Sequence, residues 1–193
     1  MNVSPQASMY GLWVAWFMTW WVAAIWSDRS VKRPATRQQI LYRVLAGAGV
    51  ILLFGTSRGA AERDLILWHS SDALAWVAVV AALLGLAFTW WARIHLGRLW
   101  SSNVARKADH HVVDTGPYGL VRHPIYTGII VASVATAVMR GTLEAWLGVV
   151  VMTLGWYIKA RMEEGFLREQ LGVDAYVSYA RRVPMLVPFV KPR

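Results

Sequence analysis

RHPIYTGIIVASVATAVMRGTLEAWLGVVVMTLGWYIKARMEE, residues 122–164, holds two uncharged apolar runs, Ile125–Met139 and Ala145–Ile158, separated by the short polar stretch Arg140, Gly141, Thr142 and Glu144. Two helix-length runs with so short a link predict a tight helical hairpin. Folding back brings the residues before the first run, Arg122 and His123, to the same end as those leaving the second, Lys159, Arg161, Glu163 and Glu164. Pro124 suits the opening turn of a helix, where a missing N–H is tolerated. Gly128, Ala132 and Thr136 recur every fourth residue, a face small enough for close helix contact; we read it as packing within a bundle.

Three further runs lie upstream. Met9–Trp26 is uncharged, Leu41–Ser57 is interrupted only by Arg43 near its start, and Ala73–Ala92 is uncharged throughout. About 20 apolar residues at 1.5 Å each cross a hydrocarbon core of roughly 30 Å, and an Arg near a span's end can snorkel to the interface. The composition agrees: 56% of residues are apolar and 16% charged, against about a quarter charged in a soluble domain. Twelve Trp, several near the ends of apolar runs, suit a headgroup boundary. The expectation is an all-α, polytopic integral membrane protein of about five transmembrane helices forming one domain, with helices one to three in residues 1–92 and a cofactor-binding catalytic half in 93–193.

Five spans divide the chain into alternating sides, and the net charge of +9 segregates accordingly. One side receives Arg29, Lys32, Arg33, Arg37, Arg43, Arg93, Arg98, Arg106, Lys107, Arg122 and the basic tail from Lys159 onward. The other keeps Arg58, Arg63 and Arg140, diluted by Glu62, Asp64, Asp72 and Glu144. The side richer in Lys and Arg is cytoplasmic, so the N-terminus is expected outside and the C-terminus inside a membrane, with a prokaryotic cytoplasmic membrane as the expected location. Topology then accounts for the basic balance, and no nucleic-acid partner is expected. The first 26 residues carry no charge and so lack a secretory leader's basic start, which makes the first run a retained helix. With no Cys, the chain offers no disulfide, thiolate nucleophile or Cys-ligated metal; no metal is expected.

Chemistry-bearing residues collect in two clusters on the expected cytoplasmic side. The first runs from His110 and His111 through Val112, Val113, Asp114, Gly116, Pro117 and Tyr118 to Arg122, His123, Pro124 and Tyr126; the second is Lys159, Arg161, Met162, Glu163 and Glu164. Free N–H groups at a helix start favour an anionic group. Two adjacent carboxylates at a bilayer boundary must be solvated, paired or bound to a cation, with Arg122 and a ligand cation as candidate partners.

These residues resemble the isoprenylcysteine carboxyl methyltransferases and their bacterial relatives, which share a C-terminal half with phospholipid N-methyltransferases. The resemblance is carried by Leu96-Gly97-Arg98-Leu99-Trp100-Ser101, Gly116-Pro117-Tyr118, the box Arg122-His123-Pro124-Ile125-Tyr126-Thr127-Gly128, Glu163-Glu164, Leu171-Gly172, Tyr176, Tyr179, Arg182-Val183-Pro184 and Pro188-Phe189. It covers about residues 93–190 and implies a methyltransferase using S-adenosylmethionine, with S-adenosylhomocysteine as product, on a lipophilic or lipid-attached acceptor, with membrane lipids as surroundings. It further implies that His110, His111, Val112, Val113, Tyr118, His123, Pro124, Tyr126 and Glu163 contact the cofactor. Lys159 falls where the isoprenylcysteine enzymes place an Arg that meets the substrate carboxylate; an ammonium is a point charge without that fork.

The chemistry fits the resemblance. Transfer from a sulfonium needs the nucleophile about 3–3.5 Å from the carbon, so positioning supplies much of the rate. A carboxylate nucleophile needs no base, whereas an amine must be unprotonated, a task within His123's reach. Arg122 and Lys159 would attract an anionic headgroup, Glu163 would hold a cationic or hydroxyl part of the cofactor, and the hairpin would admit the lipid tail sideways. The expected catalytic set is Arg122, His123, Tyr126, Glu163 and Glu164, with Lys159 and Arg122 meeting substrate. Phospholipid N-methylation is the nearest alternative; an NADPH-dependent sterol-type reductase and a noncatalytic lipid-binding membrane protein are alternatives of other classes.

Overall fold

The computed structural model describes residues 3–25, 36–55, 65–97, 113–171 and 173–190, so His110, His111 and Val112 lie outside the described residues. Among the described residues the chain forms seven helices: α1 (Pro5–Ala24), α2 (Thr36–Phe54), α3 (Asp72–Leu96), α4 (Pro117–Leu120), α5 (Pro124–Arg140), α6 (Leu143–Leu171) and α7 (Val173–Arg182). Within the described residues the apolar runs lie on helices up to Ala24 in the first and Phe54 in the second, and throughout in the other three; the described residues hold one isolated β-bridge, Ile66 with Thr142, and no strand.

Local chemistry sets the helix ends. Ser4 and Ser71 cap α1 and α3 by accepting from Ala7 N and Leu74 N at 3.2 and 3.3 Å, satisfying N–H groups that a helix start leaves open. Pro124 begins α5 as expected. At its other end Gly141 takes a left-handed conformation (φ 63°, ψ 24°) and returns its N–H to Ala137 O. Only glycine fits there, because the turn is left-handed and a Cβ would lie 2.1 Å from Trp68 O. The segment before α3 then locks the hairpin apex, with Leu67 N donating to Gly141 O at 2.7 Å and Leu143 N to Leu65 O at 2.9 Å.

Close helix crossings build the bundle. α3 packs on α5 and α2 on α6. A Cβ on Gly128 would lie 2.4 Å from Gly85 O, and one on Gly148 would lie 2.8 Å from Gly49 O. Backbones this near are reached only through glycine. The small face Gly128, Ala132, Thr136 is therefore a packing face, all three residues being buried. α1 lies on α3, and its indoles bond to buried hydroxyls of α3 and α5: Trp16 Nε1 donates to Thr89 Oγ1 at 2.6 Å, and Trp13 Nε1 to Thr136 Oγ1 at 3.0 Å. These bonds give polar groups partners inside an apolar bundle.

Two helices, α3 and α6, are long and apolar enough to cross a membrane, while α5 and the Gln39–Phe54 part of α2 are shorter apolar helices. Large apolar side chains nevertheless point outward along the bundle, including Phe17, Trp21, Ile51, Val77, Leu84 and Val150, with Ile51 71% exposed. A water-soluble monomer rarely leaves so continuous an apolar surface open. Beyond its apolar run α6 continues from Lys159 to Leu171, and α7 packs back on it. The site is built on this extension.

Candidate active site

The hairpin sets the Arg122-His123 turn against the far end of α6. Arg122 Nε donates to Glu164 Oε1 at 2.8 Å, and its Nη1 donates to the carbonyls of Ala180 and Val183 at 2.9 and 2.6 Å. The chain after α7 runs beside this turn: Arg122 N donates to Pro184 O at 2.8 Å, His123 N to Met185 O at 3.1 Å, and Thr127 Oγ1 to Leu186 O at 2.6 Å. Glu164, 1% exposed, thus meets the charged donor that the hairpin led us to expect.

Glu163 turns the other way, since consecutive helical residues point about 100° apart. Its Oε1 accepts from the Tyr126 hydroxyl at 2.7 Å and lies 3.9 Å from Lys159 Nζ, while Oε2 lies 3.5 Å from His123 Nδ1. His123 Nε2 is 3.4 Å from Glu164 Oε1, so one imidazole sits between both acids. Burial by itself disfavours the imidazolium, but the two carboxylates outweigh it and raise the His123 pKa.

Aromatic rings make up the rest of the wall. His123 stacks on Tyr126 (centroids 5.4 Å apart, planes 7° apart), and Tyr126 on Trp156 (5.0 Å, 15°). Lys159 Nζ lies 5.3 Å from the Tyr126 centroid and 5.5 Å from those of Trp156 and Tyr42.

Tyr118 lies buried on α4, held by Tyr179, whose hydroxyl donates to Tyr118 O at 2.8 Å. Burial first, and then the nearby Glu163 charge, raise the Tyr118 pKa, so its phenol stays protonated. Tyr176 and Tyr179 form a small core with Val183 that fixes α7. Val113 precedes this turn and is half-buried; Asp114 beside it pairs with Arg182 at 3.3 Å.

Arg122, His123, Tyr126, Lys159, Glu163 and Glu164 therefore form one connected group, with Pro124 starting the helix that presents it. Three aromatic groups of the site, Trp156, His95 and Tyr42, lie outside the sequence motifs. Trp156 could have been found, because it precedes Lys159 by three residues and Glu163 by seven, and so shares their helix face. His95, at the end of α3, stacks beside Tyr118 (6.3 Å) and lies 2.9 Å from Thr115 Oγ1; no spacing pointed to it. Tyr42 on α2 likewise has no sequence relation to α6.

This architecture matches known proteins. The isoprenylcysteine carboxyl methyltransferase (ICMT) family profile matches residues 76–169. Protein-S-isoprenylcysteine O-methyltransferase B of Arabidopsis thaliana is 30% identical over 166 residues, covering 72% of this chain and 84% of that protein. Methanethiol S-methyltransferase 1 of Bradyrhizobium diazoefficiens is 28% identical over 187 residues, covering 90% of this chain and 59% of that enzyme's length. The solved structure of a eukaryotic intramembrane Ras methyltransferase, ICMT, superposes with a TM-score of 0.58 at 20% identity, over 98% of this chain and 70% of that one, and so shares its fold. The chain belongs to the isoprenylcysteine carboxyl methyltransferase family and is a methyltransferase on an all-helical membrane fold.

Proposed function

We propose that this chain is an S-adenosylmethionine-dependent methyltransferase of the membrane, acting on the carboxylate of a lipid-attached acceptor of the isoprenylcysteine kind. The observation that carries the reading is the junction at Glu163, where Tyr126, His123 and Lys159 converge on one half-buried carboxylate. An acid placed there suits a cationic or hydroxyl-bearing ligand group, and its neighbours are arranged to hold it ionised. The Glu163 side chain keeps 22% of its surface open, so the acid remains accessible to such a group. When bound, S-adenosylmethionine supplies an electrophilic methyl group on a sulfonium.

The chain's own residues would divide the work. Glu163, Tyr126, His123 and Tyr118 would hold the cofactor, together with Val113, Pro124 and the segment of His110, His111 and Val112. Lys159 would draw the acceptor's anionic head. Arg122 has bonds to Glu164 and to two carbonyls of the C-terminal segment, so its main part is to hold the wall of the site. A carboxylate acceptor needs no base, which leaves His123 free to remain charged between its two acids. The exposed apolar flanks of α2 and α6 would let a prenyl tail enter from lipid. The Arg and Lys surplus at this end supports, for a chain of five spans, a site on the cytoplasmic face and an N-terminus outside.

A small thiolate is the second reading, favoured by the relative of that activity, which covers 90% of this chain. Labelled S-adenosylmethionine would be given to the purified protein with an S-prenylated N-acetylcysteine, methanethiol, phosphatidylethanolamine or a total lipid extract, and the products weighed by mass spectrometry. Label on the prenylcysteine supports the proposal; label on the thiol or the phospholipid amine alone replaces its acceptor. Absence of both labelling and S-adenosylhomocysteine binding removes the cofactor assignment.

A further inference from the structure

After α7 the chain runs back along the bundle as a strap. Three consecutive carbonyls of it are taken up by groups progressively further along α5: Pro184 O by Arg122 N, Met185 O by His123 N and Leu186 O by Thr127 Oγ1. α5 packs on α3 and α6, the two helices long and apolar enough to cross a membrane. The strap therefore leads away from the charged end of the hairpin and toward its apolar part.

Beyond Leu186 the side chains leave the fold. Val187, Phe189 and Val190 are 59%, 95% and 55% exposed. Phe189 also has a φ of 64°, the one positive value on a non-glycine residue among those described. A bulky side chain in that conformation strains the backbone, and glycine would relieve it. With nearly all of its surface open, Phe189 makes too little packing within the chain to offset the strain. What favours a ring at this position therefore lies outside the chain.

The charge pattern says what that is. Residues 183–190 are uncharged, with Arg181 and Arg182 before them and Lys191 after them. Both arginines are exposed at the end of α7. An apolar segment bracketed by cations matches a bilayer boundary, where rings and aliphatic side chains enter the acyl layer and cations meet phosphate headgroups. Three side chains are too small a patch for a stable contact with a second copy, whereas lipid surrounds the bundle beside them.

We infer that the tip at residues 187–190 is a lipid-inserted anchor, its apolar side chains entering the acyl layer beside α5 and Arg181 and Arg182 lying at the level of the headgroups. The bilayer then holds in place the strap whose carbonyls receive the Arg122-His123 turn. This anchor stands on the membrane fold and is independent of the acceptor and the cofactor.

The chain contains no cysteine, so a single introduced one can be labelled alone. Phe189→Cys at the tip, Val77→Cys on the exposed flank of α3 and Ser178→Cys on the exposed face of α7 would each carry a nitroxide in the full-length protein. The protein would be reconstituted in vesicles of phosphatidylcholine and phosphatidylglycerol. Oxygen concentrates in the acyl layer and a nickel chelate in water, so the ratio of their relaxation effects reads depth. The ratio at position 189 should approach that at 77 and exceed that at 178 several-fold. Val187→Cys gives the same reading should the first label prevent reconstitution. A tip ratio equal to that at 178 places the tip in water and overturns the inference. Shielding from both reagents, with spin-spin broadening between copies, overturns it as well by making a second copy the occupant.

Discussion

Arg122 and Glu164 are 42 positions apart in sequence and 2.8 Å apart in space, joined across the mouth of the α5–α6 hairpin. The same guanidinium grips two carbonyls at the end of α7. One side chain thus ties the hairpin, α6 and the C-terminal segment together. The link is nearly closed to water, with side-chain exposures of 11% and 2%.

Removing one partner leaves the other's charge buried. Arg122→Ala should destabilise the protein by about 3–5 kcal/mol, the range for breaking a buried pair, and abolish turnover. Arg122→Ala combined with Glu164→Gln should recover part of the stability but not the activity. Denaturant unfolding of the detergent-solubilised variants measures the first effect and methyl transfer the second. Additive losses in the double variant would show that the two groups do not act as a pair.

The two acids should separate by role. Glu163→Gln keeps its shape but loses the charge facing Tyr126, His123 and Lys159. It should abolish S-adenosylhomocysteine binding while the protein stays folded. Glu164→Gln strikes the buried Arg122 pair and should lower the unfolding temperature. Calorimetry beside thermal unfolding would reveal the opposite pattern, if the roles were exchanged.

His123 makes stability pH-dependent in a defined direction. Its pKa is raised in the folded protein, because burial is outweighed by Glu163 and Glu164. Its stabilisation is therefore complete below the unfolded value of about 6.5 and is lost as pH rises through the higher folded value. The unfolding temperature should fall across that window, and His123→Asn should flatten the profile. A wild-type profile that rises there would contradict a charged His123.

Glycine contacts should be intolerant in one place and indifferent in another. Gly128→Ala sets a methyl 2.4 Å from Gly85 O, whereas a Cβ on Gly11 meets nothing within 4 Å. The first should cost about 1–3 kcal/mol by forcing α3 and α5 apart. Gly11→Ala should be neutral or stabilising by up to about 1 kcal/mol, from helix propensity. Comparable unfolding of the two variants would show that the α3–α5 crossing is looser than these contacts require.

Much of the architecture could be read before any coordinates, because an apolar run of helical length can satisfy its backbone only as helix. The hairpin turn was equally open to reading, since Gly141 follows the last basic residue of its run. So was the meeting of the Arg122-His123 turn with Glu163 and Glu164, which follows from the hairpin alone. Residue order did not show that α6 continues as helix past its apolar run to Leu171, nor that residues 184–186 run beside the Arg122-His123 turn.

Local and nearly local interactions are written in spacing and composition, and they settled the helices, the hairpin and the cluster of charges at one end. Which acid pairs with Arg122, and which residue of α2 stands over Lys159, were settled only by packing. The rotation of one helix against another depends on the closest approach of surfaces such as Gly49 with Gly148 and Gly85 with Gly128, and no periodicity within a single segment encodes the angle at which it meets a distant one.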